Sequence, residues 1–445
     1  MKGSDPVPTR RQLLFSTAAM GLAGVGALGG CSSEPSVELD DGDMLRMRVW
    51  SEAAAAAYEE SLAEFTAGTG IEVDVEVLGW DDYWTQLPLD VAEKNLPDVL
   101  WMNTANLAQA HASGQLLEIG EIVGDSSSRW ESVPTDLYRL EDGLWGVPQL
   151  WEQSILLAHE GLVAAAKGDA TALSFDAGAP TDPLRDLSRA LTVDAEGLHP
   201  GDEGFDPAAR ATFGFSAHPD RTAVIGPFIS AQGGSWQDEG GTMSFASEAG
   251  ITAVQYLADL ASAHLAPAGS ETAADPTLCR SLFLQGRLGL LQTGTYDLHT
   301  LAEEIGDNFD WGIHPVIAGP QGAHPLVHAI AAVGVEAKKE ERSAAIAALL
   351  SWLGGTEGQR SLTEHRLGIP AHRDLRGAWE ESWAEAGVDV SVIEVPESAA
   401  RPETGDRSAI ATGTALQGIA KIFRGEATAA DALPEAQDAA REAMG

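Results

Sequence analysis

Between residues 44 and 113 the sequence alternates between two hydrophobic periods, and this alternation limits the folds that the chain can adopt. Strand patterns cover residues 44–50, 71–77 and 99–102. Helix patterns cover residues 51–66, 81–93 and 104–113. Strands that alternate with helices in this way are typical of a parallel sheet covered by helices. We therefore predict an α/β fold.

The rest of the chain continues this mixture, and no internal repeat is visible in it. Helices are predicted near residues 223–231, 248–263, 277–285, 337–353 and 410–444, and strands at 146–157, 288–292, 312–317 and 330–335. Residues 161–213 are rich in Ala, Asp, Gly and Pro, and they predict a long irregular insertion with one or two short helices. A length of 445 residues predicts two or three packing units.

The charge and the cysteine content exclude several classes of function. A net charge of -40 repels nucleic-acid backbones and anionic lipid surfaces. Two cysteines are too few for a disulfide framework or a Cys-rich zinc site, and Cys279 lies in an amphipathic pattern that favours a core position over a nucleophile. Trp is the most frequent aromatic residue, with 12 Trp against 11 Phe and 5 Tyr. This excess indicates flat surfaces on which a ligand can stack, and core packing is the alternative.

The N-terminus has the layout of an export signal. Arg10 and Arg11 precede an uncharged, Leu- and Ala-rich run that ends at Gly30, so we predict a signal peptide over residues 1–30. The Arg pair is similar to the twin-arginine motif, although the general secretion route stays open. Leu28 to Cys31 is similar to a bacterial lipobox, which predicts lipidation of Cys31, and residues 31–43 form a polar tether. A retained membrane anchor is the alternative.

The order of several segments closely resembles the family 1 extracellular solute-binding proteins, the sugar-capturing subunits of bacterial ABC importers. These segments are a strand that ends at Trp50, the pair Glu64-Phe65, the Pro97-Asp98-Val99 turn and the sequence GQLLE that begins at Gly114. Later segments, among them GLWGVPQLWEQSILLAHEGL, GRLGLLQTGTYDL and LGIPAHRDL, are similar to the hinge, return and late segments of that family. The resemblance covers nearly all of residues 44–445.

The resemblance implies a type II periplasmic-binding-protein-like fold, with two α/β lobes, hinge strands and a ligand cleft between the lobes. It assigns residues 44–148 and 286–330 to lobe 1, and residues 149–285 and 331–445 to lobe 2. It also implies hinge closure around a carbohydrate, delivery to a membrane permease, a lipid anchor on the extracytoplasmic face, a monomer, and no cofactor or metal.

Candidate ligand-binding residues come from two sources. Because ligands lie beyond the carboxyl ends of parallel strands, strand ends predict Ser51, Glu52, Trp80, Asp82 and Asn103. The resemblance adds residues of the hinge, the return strand and the late segments: Trp151, Glu152, Trp236, Thr293, Gly294, Tyr296, His328 and Arg366. Aromatic rings can stack on sugar rings, while carboxylates, amides and Arg bind hydroxyl groups.

Other interpretations of these residues stay open. Trp101 and Trp352 lie in apolar patterns that favour the core, and Trp84 is expected to be half-buried. His324 and His328 have a metal-ligand spacing, but Pro325 disfavours a regular helix across them. The carboxylates of Glu52 and Glu152 would suit a glycosidase. The alternatives to sugar capture are therefore binding of a non-sugar solute and, less favoured, a secreted glycosidase.

Overall fold

The computed structural model of the protein describes residues 44–140, 143–397, 399–405 and 407–445. The predicted signal peptide, the tether and Cys31 lie outside the described residues. Within the described part of the chain, no helix has both the length and the apolarity that crossing a membrane requires.

The described residues form twelve strands and seventeen α-helices. The strands are β1 Leu45–Val49, β2 Val73–Val77, β3 Val99–Asn103, β4 Arg139–Leu140, β5 Gly143–Leu144, β6 Val147–His159, β7 Val193–Asp194, β8 Arg210–Phe215, β9 Leu288–Gly294, β10 Trp311–His314, β11 Val327–Gly334 and β12 Ile369–Pro370. The helices up to residue 272 are α1 Glu52–Thr69, α2 Trp80–Glu93, α3 Thr104–Ala112, α4 Gly120–Val123, α5 Ser132–Asp136, α6 Glu160–Ala165, α7 Pro183–Leu191, α8 Gly226–Ala231, α9 Glu248–Ser262 and α10 Gly269–Thr272. The later helices are α11 Leu278–Leu284, α12 Leu298–Ile305, α13 Glu340–Leu353, α14 Thr356–Glu364, α15 Arg376–Glu385, α16 Ser408–Phe423 and α17 Ala429–Met444.

The predicted βαβ pattern at the start of the chain is confirmed. β1 pairs in parallel with β2 and with β3, and α1 and α2 connect these strands. The Ser51 Oγ accepts a hydrogen bond from the Ala54 N–H and so caps α1, which ends at Gly70 with φ 78°. β2 is the edge strand of the sheet, and this position explains the alternation of apolar and charged residues along it.

One long strand connects the two lobes of the molecule. The sheet order is β2-β1-β3-β11-β6-β9-β8-β7, and β6 is buried along its whole length except at His159. Its residues 147–153 pair with β11, whereas residues 154–158 pair with β9. The segments between β10 and β11 and between α15 and α16 also cross between the lobes. The fold is therefore the two-lobe α/β arrangement that was expected.

Each side of β6 has its own hydrophobic core. The first core joins side chains from residues 45–155 and 327–393, and residues 279–313 extend it along the sheet. The second core joins side chains from residues 156–266 and 411–440. Strand pairing then separates lobe 1, which holds β1–β3, β11 and α13–α15, from lobe 2, which holds β7–β10, α6–α12, α16 and α17. Side chains from α11, α12, β9 and β10 of lobe 2 also contribute to the first core.

The packing divides the second half of the chain differently from the lobe boundaries predicted from the sequence. β9, which was assigned to lobe 1, pairs with β8 and with the lobe 2 half of β6. The helices α13 and α14, which were assigned to lobe 2, cover β11 and α1 in lobe 1. The physical reason is that β11 pairs with β3, so the helix after β11 packs over the first lobe.

The insertion at residues 161–213 is more ordered than its composition predicts. The carboxylate of Asp194 accepts backbone hydrogen bonds from the N–H groups of Glu196, Leu198 and Asp206, each at 2.9 Å. These bonds lower the pKa of the Asp194 carboxyl below its ordinary value, the bond from Asp206 contributing most. One side chain therefore fixes a loop that has no hydrophobic period of its own.

Candidate functional site

A cleft between the two lobes encloses about 640 Å³. Its size falls within the ~300–1,000 Å³ that is typical of small-molecule sites. Both lobes and the crossing segments contribute to its walls. The lining residues are Trp50, Ser51, Ala53, Ala54, Trp80, Trp101, Asn103, Thr104, Ala105, Glu152, Asp220, Thr222, Thr295, Tyr296, His299, Thr300, Leu326, His328, Ile330, Arg366, Leu367, Pro402 and Glu403.

Three tryptophan side chains form an aromatic wall on the lobe 1 side of the cleft. The ring of Trp50 lies 5.4 Å from that of Trp80 and 4.9 Å from that of Trp101, both with edge-to-face geometry. Trp80 is 51 % exposed, whereas Trp101 is 1 % exposed. The Nε1 of Trp101 donates to the Tyr58 hydroxyl, which donates to Oε1 of Gln149, each at 2.9 Å. The wall is therefore a rigid apolar surface with one exposed outer ring.

A carboxylate and a histidine from two neighbouring strands form a close pair in the cleft lining. The register of β6 and β11 places Glu152 opposite His328, and the Glu152 Oε2 lies 2.7 Å from the His328 Nε2. The His328 Nδ1 is buried and has no hydrogen-bond partner among the described residues. The centroid of the His328 ring lies 5.8 Å from the centroid of the Tyr296 ring. The histidine fixes one oxygen of Glu152, and the carboxylate retains further lone pairs for a ligand.

The loop after β9 holds Tyr296 against the cleft. The Thr293 hydroxyl donates to Oδ2 of Asp297 at 2.6 Å, and the Gln153 N–H donates to the Thr295 hydroxyl at 3.2 Å. Burial raises the pKa of Asp297, and the nearby carboxylates of the cleft act in the same direction. Tyr296 is 37 % exposed as a whole residue, but local desolvation of its hydroxyl raises the pKa of that group, so the phenol is neutral and can both donate and accept hydrogen bonds.

The lobe 2 wall is formed by a π-helical turn, Arg221–Ile225, and by the segment that contains Glu403. The Asp220 Oδ1 caps this turn by accepting from the Ala223 N–H at 2.7 Å. Arg221 is buried, and its Nε lies 3.3 Å from the Glu403 Oε2. The ion pair fixes the position of Glu403, while Asp220 and Thr222 face the cleft.

Arg366 enters the cleft from the end of α14. Its backbone has φ 56°, a left-handed conformation that favours glycine. The Nη1 donates to the Ser382 carbonyl at 3.0 Å, and the guanidinium carbon lies 5.4 Å from the centre of the Trp383 ring. These contacts hold the guanidinium against α15, and Arg366 is one of the residues that line the cleft.

Seven of the residues predicted from the sequence line the cleft, and the structure brings them together from both lobes. They are Ser51, Trp80, Asn103, Glu152, Tyr296, His328 and Arg366. Ser51 and Asn103 also cap α1 and α3, because the Asn103 Oδ1 accepts from the Asn106 N–H at 3.0 Å. Their cleft positions follow from the strand ends at which they lie.

Trp151 and Trp236 do not reach the cleft surface. Trp151 is 0 % exposed and lies between Ala329 of β11 and Ile369 of β12. Successive residues of a strand point to opposite faces, so Trp151 faces away from the cleft that Glu152 lines. Trp236 stacks on Phe245 at 4.4 Å and belongs to the lobe 2 core.

The other predicted residues lie near the cleft without lining it. Glu52 and Asp82 are exposed on α1 and α2, and the Thr293 hydroxyl is bonded to Asp297. Gly294 lies beneath the Tyr296 ring, where a β-carbon would be 2.0 Å from Cε1 of Tyr296. Its contribution to the site is therefore the space that it leaves for that ring.

Sequence reasoning missed several lining residues. Trp50 directly follows β1, so the strand-end rule that selected Ser51 could have found it. Trp101 was expected in the core, and it is buried, but it also lines the cleft. Asp220 and Glu403 lie in irregular segments that carry no periodic signal.

Comparisons with known proteins agree with this geometry. The family model described as bacterial extracellular solute-binding protein matches residues 50–360. The crystal structure of UspC from M. tuberculosis is 31% identical, with a TM-score of 0.78, and the match covers 90% of this chain and 100% of that chain. The substrate-binding protein Lmo0181 from Listeria monocytogenes, solved in complex with cycloalternan, shares 16% identity at a TM-score of 0.72, covering 90% of this chain and 99% of that one. The GacH receptor of Streptomyces glaucescens, solved unliganded and with acarbose, shares 16% identity at a TM-score of 0.69, covering 90% and 98%.

Proposed function

This chain belongs to the family of bacterial extracellular solute-binding proteins, and on that premise we propose that its cleft captures a carbohydrate for an ABC importer. The observation that carries the proposal is the pairing of two kinds of surface across one cleft. Trp50, Trp80 and Trp101 line the same cleft as the carboxylates of Glu152 and Asp220. A sugar ring presents an apolar face and a rim of hydroxyl groups, and it matches both surfaces.

The polar groups suit hydroxyls because each is already oriented by the protein. His328 fixes one oxygen of Glu152, the π-helical turn fixes Asp220, and Ser382 and Trp383 fix Arg366. A carboxylate can accept about four hydrogen bonds, so each retains capacity for a ligand. Oriented groups lose less conformational freedom when the ligand binds.

We further propose that the lobes close around the ligand. The cleft lies where β6 changes its pairing from β11 to β9, so a small twist of this strand would change the distance between the walls. Several fold neighbours were solved with sugars or sugar-like ligands, including cycloalternan, acarbose and maltotriose. Because their sequence identities are low, these neighbours support only the fold. The proposal that the ligand is a carbohydrate rests on the residues that line the cleft.

Binding without chemical conversion fits the cleft better than hydrolysis does. Glu52, the carboxylate that was considered as a partner for Glu152, is exposed at the start of α1 and does not line the cleft. Glu152 itself is paired with His328 at 2.7 Å. The alternative of a phosphorylated solute would favour a basic cluster, whereas Glu152, Asp220 and Glu403 make the cleft acidic.

Export and anchoring complete the proposal. Membership of an extracellular family implies export, in agreement with the signal pattern of residues 1–30. We propose that a lipid on Cys31 holds the mature protein on the outer face of the cell membrane, where it delivers its ligand to the permease. We propose that it does so as a monomer and without a cofactor.

The test is a calorimetric and thermal-shift screen of the purified protein against mono- and oligosaccharides. A true ligand at ~100 times its dissociation constant should stabilise the fold by about 2.7 kcal/mol. Recovery of the sugar intact after long incubation would separate binding from hydrolysis.

Two substitutions on α2 give a matched control. Trp80 and Leu89 are 51 % and 53 % exposed, and only Trp80 lines the cleft. Trp80→Ala should weaken binding by about 30-fold, while Leu89→Ala should bind as the unaltered protein does. A screen without any binding sugar, or equal affinities of the two variants, would refute the carbohydrate proposal.

A further inference from the structure

A second cavity of about 730 Å³ lies in lobe 2, beside the cleft. We call it the side groove. One wall is a face of α16 that includes Gly413, Leu416 and Gln417, and the opposite wall is formed by residues 218–222 and 272–276. Its size, like that of the cleft, falls within the range of small-molecule sites. The cleft chemistry described above does not use it.

The side groove adjoins the cleft. Asp220, Thr222 and Glu403 line both cavities, so these residues form the shared edge between them. A ligand that extended from the cleft past these residues would enter the side groove.

The shared edge carries acceptors for hydroxyl groups. The Asp220 Oδ1 accepts the Ala223 N–H, and the Oδ2 lies 3.9 Å from the His218 Nε2, which is beyond hydrogen-bond distance. The Glu403 Oε2 lies 3.3 Å from the buried Arg221 Nε. Both carboxylates thus retain lone pairs at the point where the two cavities meet.

Two glycines of α16 have different surroundings. A β-carbon at Gly418 would lie 2.5 Å from the Ala436 β-carbon, so the packing of α17 explains this glycine. Gly413 is exposed, and a β-carbon there would have no atom of the described residues within 4 Å. Glycine destabilises the interior of a helix relative to alanine. Gly413 therefore leaves open space on the face of α16 that lines the side groove.

We propose that the side groove binds the end of a linear oligosaccharide whose other rings lie in the cleft. The proposal rests on the carbohydrate function proposed above and specifies its ligand as a chain that is longer than the cleft alone can hold. The Leu416 and Ala420 side chains offer an apolar surface to a sugar ring, and the carboxylates at the shared edge accept its hydroxyls.

The experiment compares affinities for linear oligosaccharides of one to six rings, taken from malto-, cello-, chito- and xylo-oligosaccharide series. Gly413→Phe places a large ring in the side groove without a clash, because the space there is open. Thr414→Phe is the matched control, since Thr414 is the next residue of α16 and does not line the groove. Gln417→Trp is a second blocking variant, one turn further along the helix.

In the unaltered protein, affinity should rise with chain length beyond the members that fill the cleft. Both blocking variants should lose this rise, by about tenfold or more for the longest members, while short members bind as before. Thr414→Phe should behave as the unaltered protein. Equal affinity of the blocking variants and the unaltered protein for long chains would overturn the side-groove proposal and leave the carbohydrate proposal intact. Failure of every sugar to bind the unaltered protein would remove both.

Discussion

Replacement of Gly294 by alanine tests how the cleft positions its exposed tyrosine. Gly294 has φ -116° and ψ 163°, an extended conformation that any residue adopts, so the backbone itself does not require glycine. The added β-carbon would lie 2.0 Å from Cε1 and 2.5 Å from Cδ1 of Tyr296. The ring must then recede by roughly 1.5 Å to reach the ~3.5 Å at which carbon atoms are in contact.

This displacement should weaken ligand binding with little effect on the fold. The loss should approach that of Tyr296→Ala, about 2 kcal/mol or roughly 30-fold in Kd, which is typical of a buried aromatic anchor. Because Tyr296 is 37 % exposed in the absence of ligand, the free energy of unfolding should change by no more than about 0.5 kcal/mol.

The assay is calorimetric titration of the sugar found in the screen into Gly294→Ala, Tyr296→Ala and the double variant, with urea unfolding of each. If alanine at 294 acts only through the ring, the double variant should bind as Tyr296→Ala does. Unchanged binding by Gly294→Ala, or a double variant that loses the sum of the two single effects, would refute the reasoning.

Three further predictions concern other parts of the chain. Trp151→Ala should lower the free energy of unfolding by about 3–5 kcal/mol in urea titrations, because the ring is fully buried; a loss of less than about 1 kcal/mol would contradict its core position. Asp194→Asn should lower the stability at pH 7. Because the pKa of Asp194 is lowered in the folded protein, its contribution is present above the ordinary carboxyl pKa and is lost as the pH falls through the folded value, so the two unfolding curves should converge in acid. Cys31→Ala should release the protein from membrane fractions, since stable retention requires more than one acyl chain; unchanged fractionation would exclude the lipid anchor.

The sequence predicted the elements whose periodicity is local, and it missed those that distant backbone groups stabilise. α14 was not predicted because part of its buried face is polar, including Gln359, Ser361 and Thr363. The Gln359 side-chain amide donates to the carbonyls of Pro148 and Leu353 at 2.9 and 3.1 Å, and its oxygen accepts from the His372 N–H at 3.0 Å. Such partners come from other segments of the fold, so no hydrophobic period reveals the helix.

In the candidate site, too, the sequence predicted residues that local patterns mark and missed residues that only the folded chain brings together. Strand ends correctly indicated where Ser51 and Asn103 would lie, because the carboxyl ends of parallel strands meet at one edge. Trp151 and Glu152 are neighbours on one strand and cannot both face the cleft, but the sequence does not show which face of β6 is which. Asp220 and Glu403 are brought to the cleft only by the packing of irregular segments in lobe 2.

The burial of β6 has a consequence for hydrogen exchange. Its central amides lie in the interior of the sheet with paired strands on both sides, so their protons should exchange with solvent only when the whole molecule unfolds. The strand about which the lobes would move should then be among the slowest-exchanging segments of the chain. Lobe motion on a fast timescale can coexist with this protection, because a twist distributed over thirteen residues breaks no ladder hydrogen bond. Slow amide exchange along β6 would therefore indicate a hinge that bends with its hydrogen bonds intact. Fast exchange would indicate a hinge that unfolds locally.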